Sequence, residues 1–175
     1  MKKFHANFLE PSQEQLNNLL ELYQTGKYTD AEKLSVSITE EFPKHQFAWK
    51  VLAAVFKQNG RINESLVACQ KSVQLNTQDA EAYSNLGVIM NELKRFKEAE
   101  ASFRQAITLK PDYANAYNNL GNAINELGKL EEAEESFRQA IILKPDHTEA
   151  WHNIFFSLQA LKLQTSSIED HLSLL

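Results

Sequence analysis

Two consecutive stretches of the chain are nearly the same sequence. Residues 80–113 read AEAYSNLGVIMNELKRFKEAEASFRQAITLKPDY, and residues 114–147 read ANAYNNLGNAINELGKLEEAEESFRQAIILKPDH. The two stretches are identical at 22 of 34 positions, too many to arise by chance. A 34-residue repeat therefore organises this part of the chain, and a period of this length is typical of stacked supersecondary units.

The same frame extends in weaker form to both sides of these two copies. Trp49 stands where Tyr83 and Tyr117 stand in the central copies, and Trp151 takes the same position after them. The frame predicts a leader segment at residues 1–11 and a single array at residues 12–175. The array would consist of repeats 12–45, 46–79, 80–113 and 114–147 and a partial fifth repeat at 148–175.

Each repeat carries two apolar stripes at helical spacing. In the fourth repeat one stripe is Tyr117, Leu120, Ile124 and Leu127, and the second is Leu130, Ala133, Phe137, Ala140, Ile141 and Leu143. Residues three or four apart share a helix face, so each stripe predicts an amphipathic helix. Gly128 separates the two helices and Pro145 ends the second. The small residues Gly121 and Ala133 would let the two helices approach closely, beside the bulky Phe137.

This framework of aromatic-Leu-Gly, Ala, Phe, Ala and Pro resembles the tetratricopeptide repeat family. The resemblance is strong in the third and fourth repeats and looser elsewhere, since the second repeat has Ala53 for glycine and Cys69 for phenylalanine. It implies an all-α, right-handed superhelical solenoid of antiparallel helix pairs, with four full repeats and a partial fifth or capping pair. It also implies a concave face formed mainly by the first helix of each pair.

The non-core positions of the first helices are rich in asparagine. The candidate binding residues are Lys50 in the second repeat and the carboxamides Asn85, Asn91, Asn118, Asn119, Asn122, Asn125 and Asn153. A carboxamide both donates and accepts hydrogen bonds, so a row of them could pair with the backbone of an extended peptide. The row of Asn85, Asn119 and Asn153 resembles the asparagine ladder in the repeat domain of the O-linked N-acetylglucosamine transferase. These side chains could instead bond to neighbouring helices or face solvent.

A second binding mode known in the family does not fit this sequence. Tetratricopeptide co-chaperones hold an acidic carboxyl terminus with a clamp that starts from lysine and asparagine one turn apart. Here Lys50 is followed one turn later by Ala54, and no arginine stands at the remaining clamp positions. We therefore do not expect a clamp for a terminal carboxylate.

Composition and motif searches argue against several other functions. With 18 basic and 23 acidic residues the net charge is −5, so we expect no nucleic-acid partner. A single cysteine, five histidines without metal-ligand spacing and scattered glycines predict no metal, no cofactor and no catalysis. No apolar stretch predicts a signal peptide or a membrane span, so a cytoplasmic protein is expected.

Three functional hypotheses follow. The first is a protein- or peptide-binding scaffold that uses the concave face. The second is self-association, because a second helix of the fifth repeat, expected from about Ser166, would leave Leu172, Leu174 and Leu175 uncovered and allow a homo-oligomer. The third is a substrate-positioning part of a larger enzyme, since bacterial arrays that resemble this one often precede a sulfotransferase or glycosyltransferase domain.

Overall fold

The structure, a computed structural model, describes residues 10–172 and the side chains of residues 10–163. Within these residues it contains nine α-helices and no strand. The helices are α1 (Gln13–Gln24), α2 (Tyr28–Glu41), α3 (Gln46–Gln58), α4 (Ile62–Leu75), α5 (Ala80–Glu92), α6 (Phe96–Leu109), α7 (Ala114–Glu126), α8 (Leu130–Leu143) and α9 (Thr148–Leu172). The described helices include none that is long and apolar enough to cross a membrane.

The helices fall into two compact units that divide between Thr77 and Gln78. Unit 1 contains α1 to α4, and unit 2 contains α5 to α9. In each unit, successive helices pack as antiparallel pairs: α1 with α2 and α3 with α4, then α5 with α6 and α7 with α8. The predicted all-α fold of helix pairs is confirmed, while the single array over residues 12–175 stays a prediction.

The turn inside each pair uses a left-handed backbone conformation at the same repeat position. Three glycines adopt it, Gly26, Gly60 and Gly128, with φ angles of 72°, 73° and 76°. In the third repeat the residue is Lys94, with a φ of 59°. A side chain with a Cβ atom is disfavoured in this region, so the turn between α5 and α6 is strained where the other three are not.

The contact within each pair of unit 2 depends on a glycine against a phenylalanine. A Cβ atom built on Gly121 would lie 2.5 Å from Cε1 of Phe137, and one built on Gly87 would lie 2.6 Å from Cε1 of Phe103. Both phenylalanines are fully buried. Only glycine therefore lets the ring of the second helix sit against the backbone of the first.

The last helix differs from the sequence prediction. The expected second helix from about Ser166 is wrong, because α9 continues without interruption from Thr148 to Leu172. The stretch QTSSI at residues 164–168 contains neither glycine nor proline, so nothing in it terminates a helix. Leu174, Leu175 and the side chain of Leu172, which the self-association hypothesis invoked, lie outside the described residues.

Candidate functional site

The first helices of the pairs in unit 2 lie side by side. α5 contacts α7, and α7 contacts α9. On each of them, residues spaced at i, i+4, i+7 and i+11 form one stripe along the helix. We call these three stripes the first-helix face of unit 2, which consists of Glu81, Asn85, Val88 and Glu92 on α5, Asn115, Asn119, Asn122 and Glu126 on α7, and Glu149, Asn153, Phe156 and Ala160 on α9.

Four of the sequence-predicted asparagines belong to this face. Asn85, Asn119 and Asn153 hold the same repeat position on α5, α7 and α9, and Asn122 lies one turn beyond Asn119. All four are half-buried. The carboxamides therefore stand along the middle of the stripes, where a bound segment would be partly shielded from water.

Asn118 has a different environment from its neighbour Asn119. Its side chain is only 1% exposed, and its Oδ1 atom accepts a hydrogen bond of 3.0 Å from Nδ2 of Asn153. This bond joins α7 to α9 and orients the Asn153 carboxamide. Asn118 is thus an interhelical contact, the alternative that the sequence left open, and it does not belong to the exposed surface.

The remaining candidates occupy three distinct environments. Asn91 is half-buried, and its buried Oδ1 atom accepts no hydrogen bond from any described residue. Asn125 is exposed near the end of α7. Lys50 is half-buried on α3 in unit 1 and already takes part in another interaction.

An aromatic cluster on α9 adds a feature that the sequence prediction did not include. The ring centroids of His152 and Phe156 are 4.7 Å apart, and those of Phe155 and Phe156 are 5.5 Å apart. Phe156 is 53% exposed, although it holds the repeat position of Val88 and Asn122. An aromatic residue at a position that is not aromatic in the other repeats was the signal available in the sequence.

Ion pairs tie the second helices together outside the first-helix face. The Glu100 carboxylate accepts hydrogen bonds of 2.9 Å from Arg104 on its own helix and 3.2 Å from Lys129 at the start of α8. Burial alone would raise the pKa of Glu100, but these two cations hold it below its ordinary value. These ion pairs therefore link α6 to the residue that precedes α8.

The described residues offer little reactive chemistry. Cys69 is buried, and loss of solvation raises the pKa of its thiol to about 12. A thiol with this pKa is protonated at neutral pH and packs as a small apolar side chain. Among the residues with described positions, no three His, Cys, Asp or Glu side chains are grouped so that they could hold a metal ion.

The comparisons with known proteins agree with this architecture. The family model described as tetratricopeptide repeat matches residues 58–114 and 91–148, which together span more than half of the chain. The chain belongs to the tetratricopeptide repeat family, as the resemblance predicted. No curated protein matches the sequence.

Solved structures of tetratricopeptide proteins share the fold. The crystal structure of MamA matches with a TM-score of 0.76 and 23% identity, covering 85% of this chain and 87% of that one. The first repeat domain of Spaghetti (RPAP3), bound to the HSP90 peptide SRMEEVD, matches with a TM-score of 0.66 and 26% identity over 67% of this chain and 93% of that one. YrrB, described as a protein with an unusual peptide-binding site, matches with a TM-score of 0.74 and 17% identity over 87% of this chain and 78% of that one.

Proposed function

We propose that this chain is a non-catalytic scaffold that binds a protein partner through an extended peptide segment lying on the first-helix face of unit 2. The observation that carries the proposal is the set of half-buried carboxamides Asn85, Asn119, Asn122 and Asn153 on adjoining helices. Each of these side chains has a donor and an acceptor, the pair that a peptide backbone also presents. The peptide complex of the Spaghetti (RPAP3) domain, a structural neighbour, supports a peptide as the ligand class.

Binding through carboxamides alone would be weak and tolerant of peptide sequence. A hydrogen bond contributes about 0.5–1.5 kcal/mol net, so four of them supply at most about 6 kcal/mol before the peptide is ordered. That corresponds to a dissociation constant no tighter than the micromolar range. Side-chain contacts such as those at Phe156 would then provide the remaining affinity.

The test removes the half-buried carboxamides of the face other than Asn153. The variant combines Asn85→Ala, Asn119→Ala and Asn122→Ala and keeps Asn153, because Asn153 bonds to the buried Asn118. Binders are selected from an array of random peptides of about 12 residues, and fluorescence anisotropy measures their dissociation constants. We expect at least about tenfold weaker binding for every selected peptide, whatever its sequence.

A matched control places the same substitution away from the face. Asn18 on α1 and Asn63 on α4 are exposed asparagines of unit 1, so Asn18→Ala combined with Asn63→Ala should leave the dissociation constants unchanged. Circular dichroism verifies that both variants remain helical. If the triple variant is folded and binds as tightly as the original chain, the carboxamide proposal is wrong.

Self-association is a second candidate, favoured by an uncovered apolar stripe on α9. Trp151, Phe155 and Leu158 are each more than 40% exposed. They hold the repeat positions of Tyr117, Gly121 and Ile124, the face of α7 that packs on α8. Sedimentation over a wide concentration range tests the candidate with a Phe155→Ser, Leu158→Ser variant: dimers that this variant abolishes support it, and a monomer at every concentration refutes it.

A substrate-positioning role within a larger enzyme, a cytoplasmic location, a bacterial source and the absence of nucleic-acid binding stay predictions.

A further inference from the structure

Every charged residue on the first-helix face of unit 2 is a glutamate. The four carboxylates lie at the ends of the stripes, and the middle positions are uncharged. Glu81 and Glu92 on α5 already take part in other interactions. Glu126 at the end of α7 and Glu149 in the first turn of α9 are both exposed. The face therefore presents carboxamides bordered by negative charge.

No lysine or arginine of unit 2 belongs to the three stripes of this face, and four of them are paired elsewhere. Arg95 pairs with Glu98, Arg104 and Lys129 with Glu100, and Arg138 with Glu134, all involving the second helices or the turns before them. Lys162 lies on α9 but two residues beyond Ala160, which places it about 200° around the helix from that stripe. Glu126 and Glu149 therefore have no cationic neighbour within the stripes of this face.

Three side chains on α9 combine the groups that recognise a basic side chain. Glu149, Asn153 and Phe156 follow one another at i, i+4 and i+7, so they share one side of the helix. A carboxylate binds a guanidinium or ammonium group through charge-assisted hydrogen bonds, and the face of an exposed ring attracts the same cation. The Phe156 ring is held against His152, at a centroid distance of 4.7 Å, and remains half exposed.

We infer that the segment bound on the first-helix face of unit 2 is basic: an extended peptide whose lysine or arginine side chains reach Glu126, Glu149 and the Phe156 ring while its backbone bonds to the carboxamides. This inference rests on the proposed function and names its partner class. An acidic peptide would meet like charges at the border of the face, and opposite charges across an interface also speed association. The two exposed glutamates carry the predicted preference.

The experiment compares three peptides that differ at two positions, where the side chain is cationic, neutral or anionic. Their common sequence is GLXTLXTLG, with X as lysine, glutamine or glutamate, and fluorescence anisotropy measures their binding to the full chain. At about 50 mM salt we expect the lysine peptide to bind about tenfold more tightly than the glutamate peptide. This difference in affinity, which we call the gap, should shrink at about 500 mM salt, because exposed charges are then screened.

Charge-neutralising variants locate the source of this gap. Glu126→Gln combined with Glu149→Gln should reduce the affinity difference between the lysine and glutamate peptides to about twofold, because the charged contacts are lost. The matched control is Glu131→Gln combined with Glu135→Gln. It replaces two exposed glutamates of α8 and changes the net charge by the same amount. This control should preserve most of the gap.

The outcomes separate this inference from the proposed function. Equal binding of the three peptides, or an equal loss of preference in the control variant, overturns the basic-partner inference alone. The carboxamide scaffold then stands if Asn85→Ala, Asn119→Ala and Asn122→Ala together still weaken the glutamine peptide. If none of the three peptides binds, both proposals are wrong.

Discussion

Units 1 and 2 fill the contact between the two helices of a pair with different residues. In unit 2 the first helix of each pair supplies a glycine, and the second supplies the large ring of Phe103 or Phe137. In unit 1 the same two repeat positions hold Ala53 with Cys69 in one pair and Leu19 with Ser35 in the other. All four of these unit 1 residues are buried.

The comparison shows that the large side chain at this contact can belong to either helix of a pair. The large residue is on the second helix in unit 2, the volume is divided in the second repeat, and the large residue is on the first helix in the first repeat. Two of the buried serines of unit 1 are stabilised because the hydroxyl has a backbone acceptor: Ser35 donates to the carbonyl of Ala31 at 2.7 Å, and Ser65 donates to that of Ala53 at 2.7 Å. The repeat frame therefore specifies a filled contact rather than a fixed residue.

The largest effect should come from emptying this contact in unit 2. Phe137→Ala removes a fully buried ring and leaves a cavity that the surrounding side chains fill only in part. We expect the free energy of unfolding to fall by about 3–5 kcal/mol in urea denaturation followed by circular dichroism. Ile142→Ala on the same helix is the control, since Ile142 is exposed and should change stability by less than about 0.5 kcal/mol.

A smaller loss should follow from overfilling the contact. Gly121→Ala places a Cβ atom against the Phe137 ring and should cost about 1–3 kcal/mol. Adding Phe137→Cys recreates the Ala53 and Cys69 pair of unit 1. The double variant should therefore lose less stability than the sum of the two single variants, which a double-mutant cycle measures. If the stability losses of the two single variants simply add in the double variant, the idea that a larger residue on one helix compensates for a smaller residue on the other is wrong.

The ion pair between second helices offers a comparison that depends on pH. Lys129 reaches Glu100 in unit 2, and Arg61 reaches Glu32 at the same repeat positions in unit 1. Because the folded-state pKa of Glu100 is lowered, its stabilisation is present above the unfolded pKa and is lost as the pH falls through the folded value. Glu100→Gln should cost about 1 kcal/mol at pH 7, and the difference should be smaller at pH 3.

The control for this measurement is Glu135→Gln on α8, an exposed glutamate. Its effect on the urea midpoint should be small at pH 7 and at pH 3. A loss in the Glu100→Gln variant that is equally large at both pH values would assign the effect to packing rather than to charge.

The smallest predicted effect is a gain in stability at the one turn that departs from the glycine pattern. Lys94→Gly should relieve the left-handed strain that Gly26, Gly60 and Gly128 avoid. We expect the free energy of unfolding to rise by about 1 kcal/mol, seen as a higher urea midpoint with an unchanged slope. Lys97→Gly, inside the first turn of α6, is the contrasting variant and should lower stability by a similar amount.

The sequence predicted the helix pairs well because their signals are local. The apolar spacing and the glycine at Gly128 each act within one repeat, so they predict helices and turns without knowledge of the fold. The end of α9 was predicted wrongly because no local signal supported the predicted break. No residue there forces a stop, and the period alone suggested one.

The candidate site was predicted only in part. Asn118 and Asn119 are adjacent and chemically identical, yet one is buried in a bond to Asn153 and the other is half exposed. Adjacent residues point about 100° apart on a helix, and their environments depend on which side the next helix covers. The exposure of Phe156 and the bordering glutamates became visible only with those neighbours in place.

For residues 12–147 the sequence by itself determined which residues form helices, where the turns lie and which side chains lie inside each pair, because these follow from the period and from side-chain size. The tertiary structure decided which asparagines remain available to a partner and which exposed charges surround them. The physical reason is that a helix fixes the angles of its side chains, while their burial and hydrogen bonding are set by the helices packed against it.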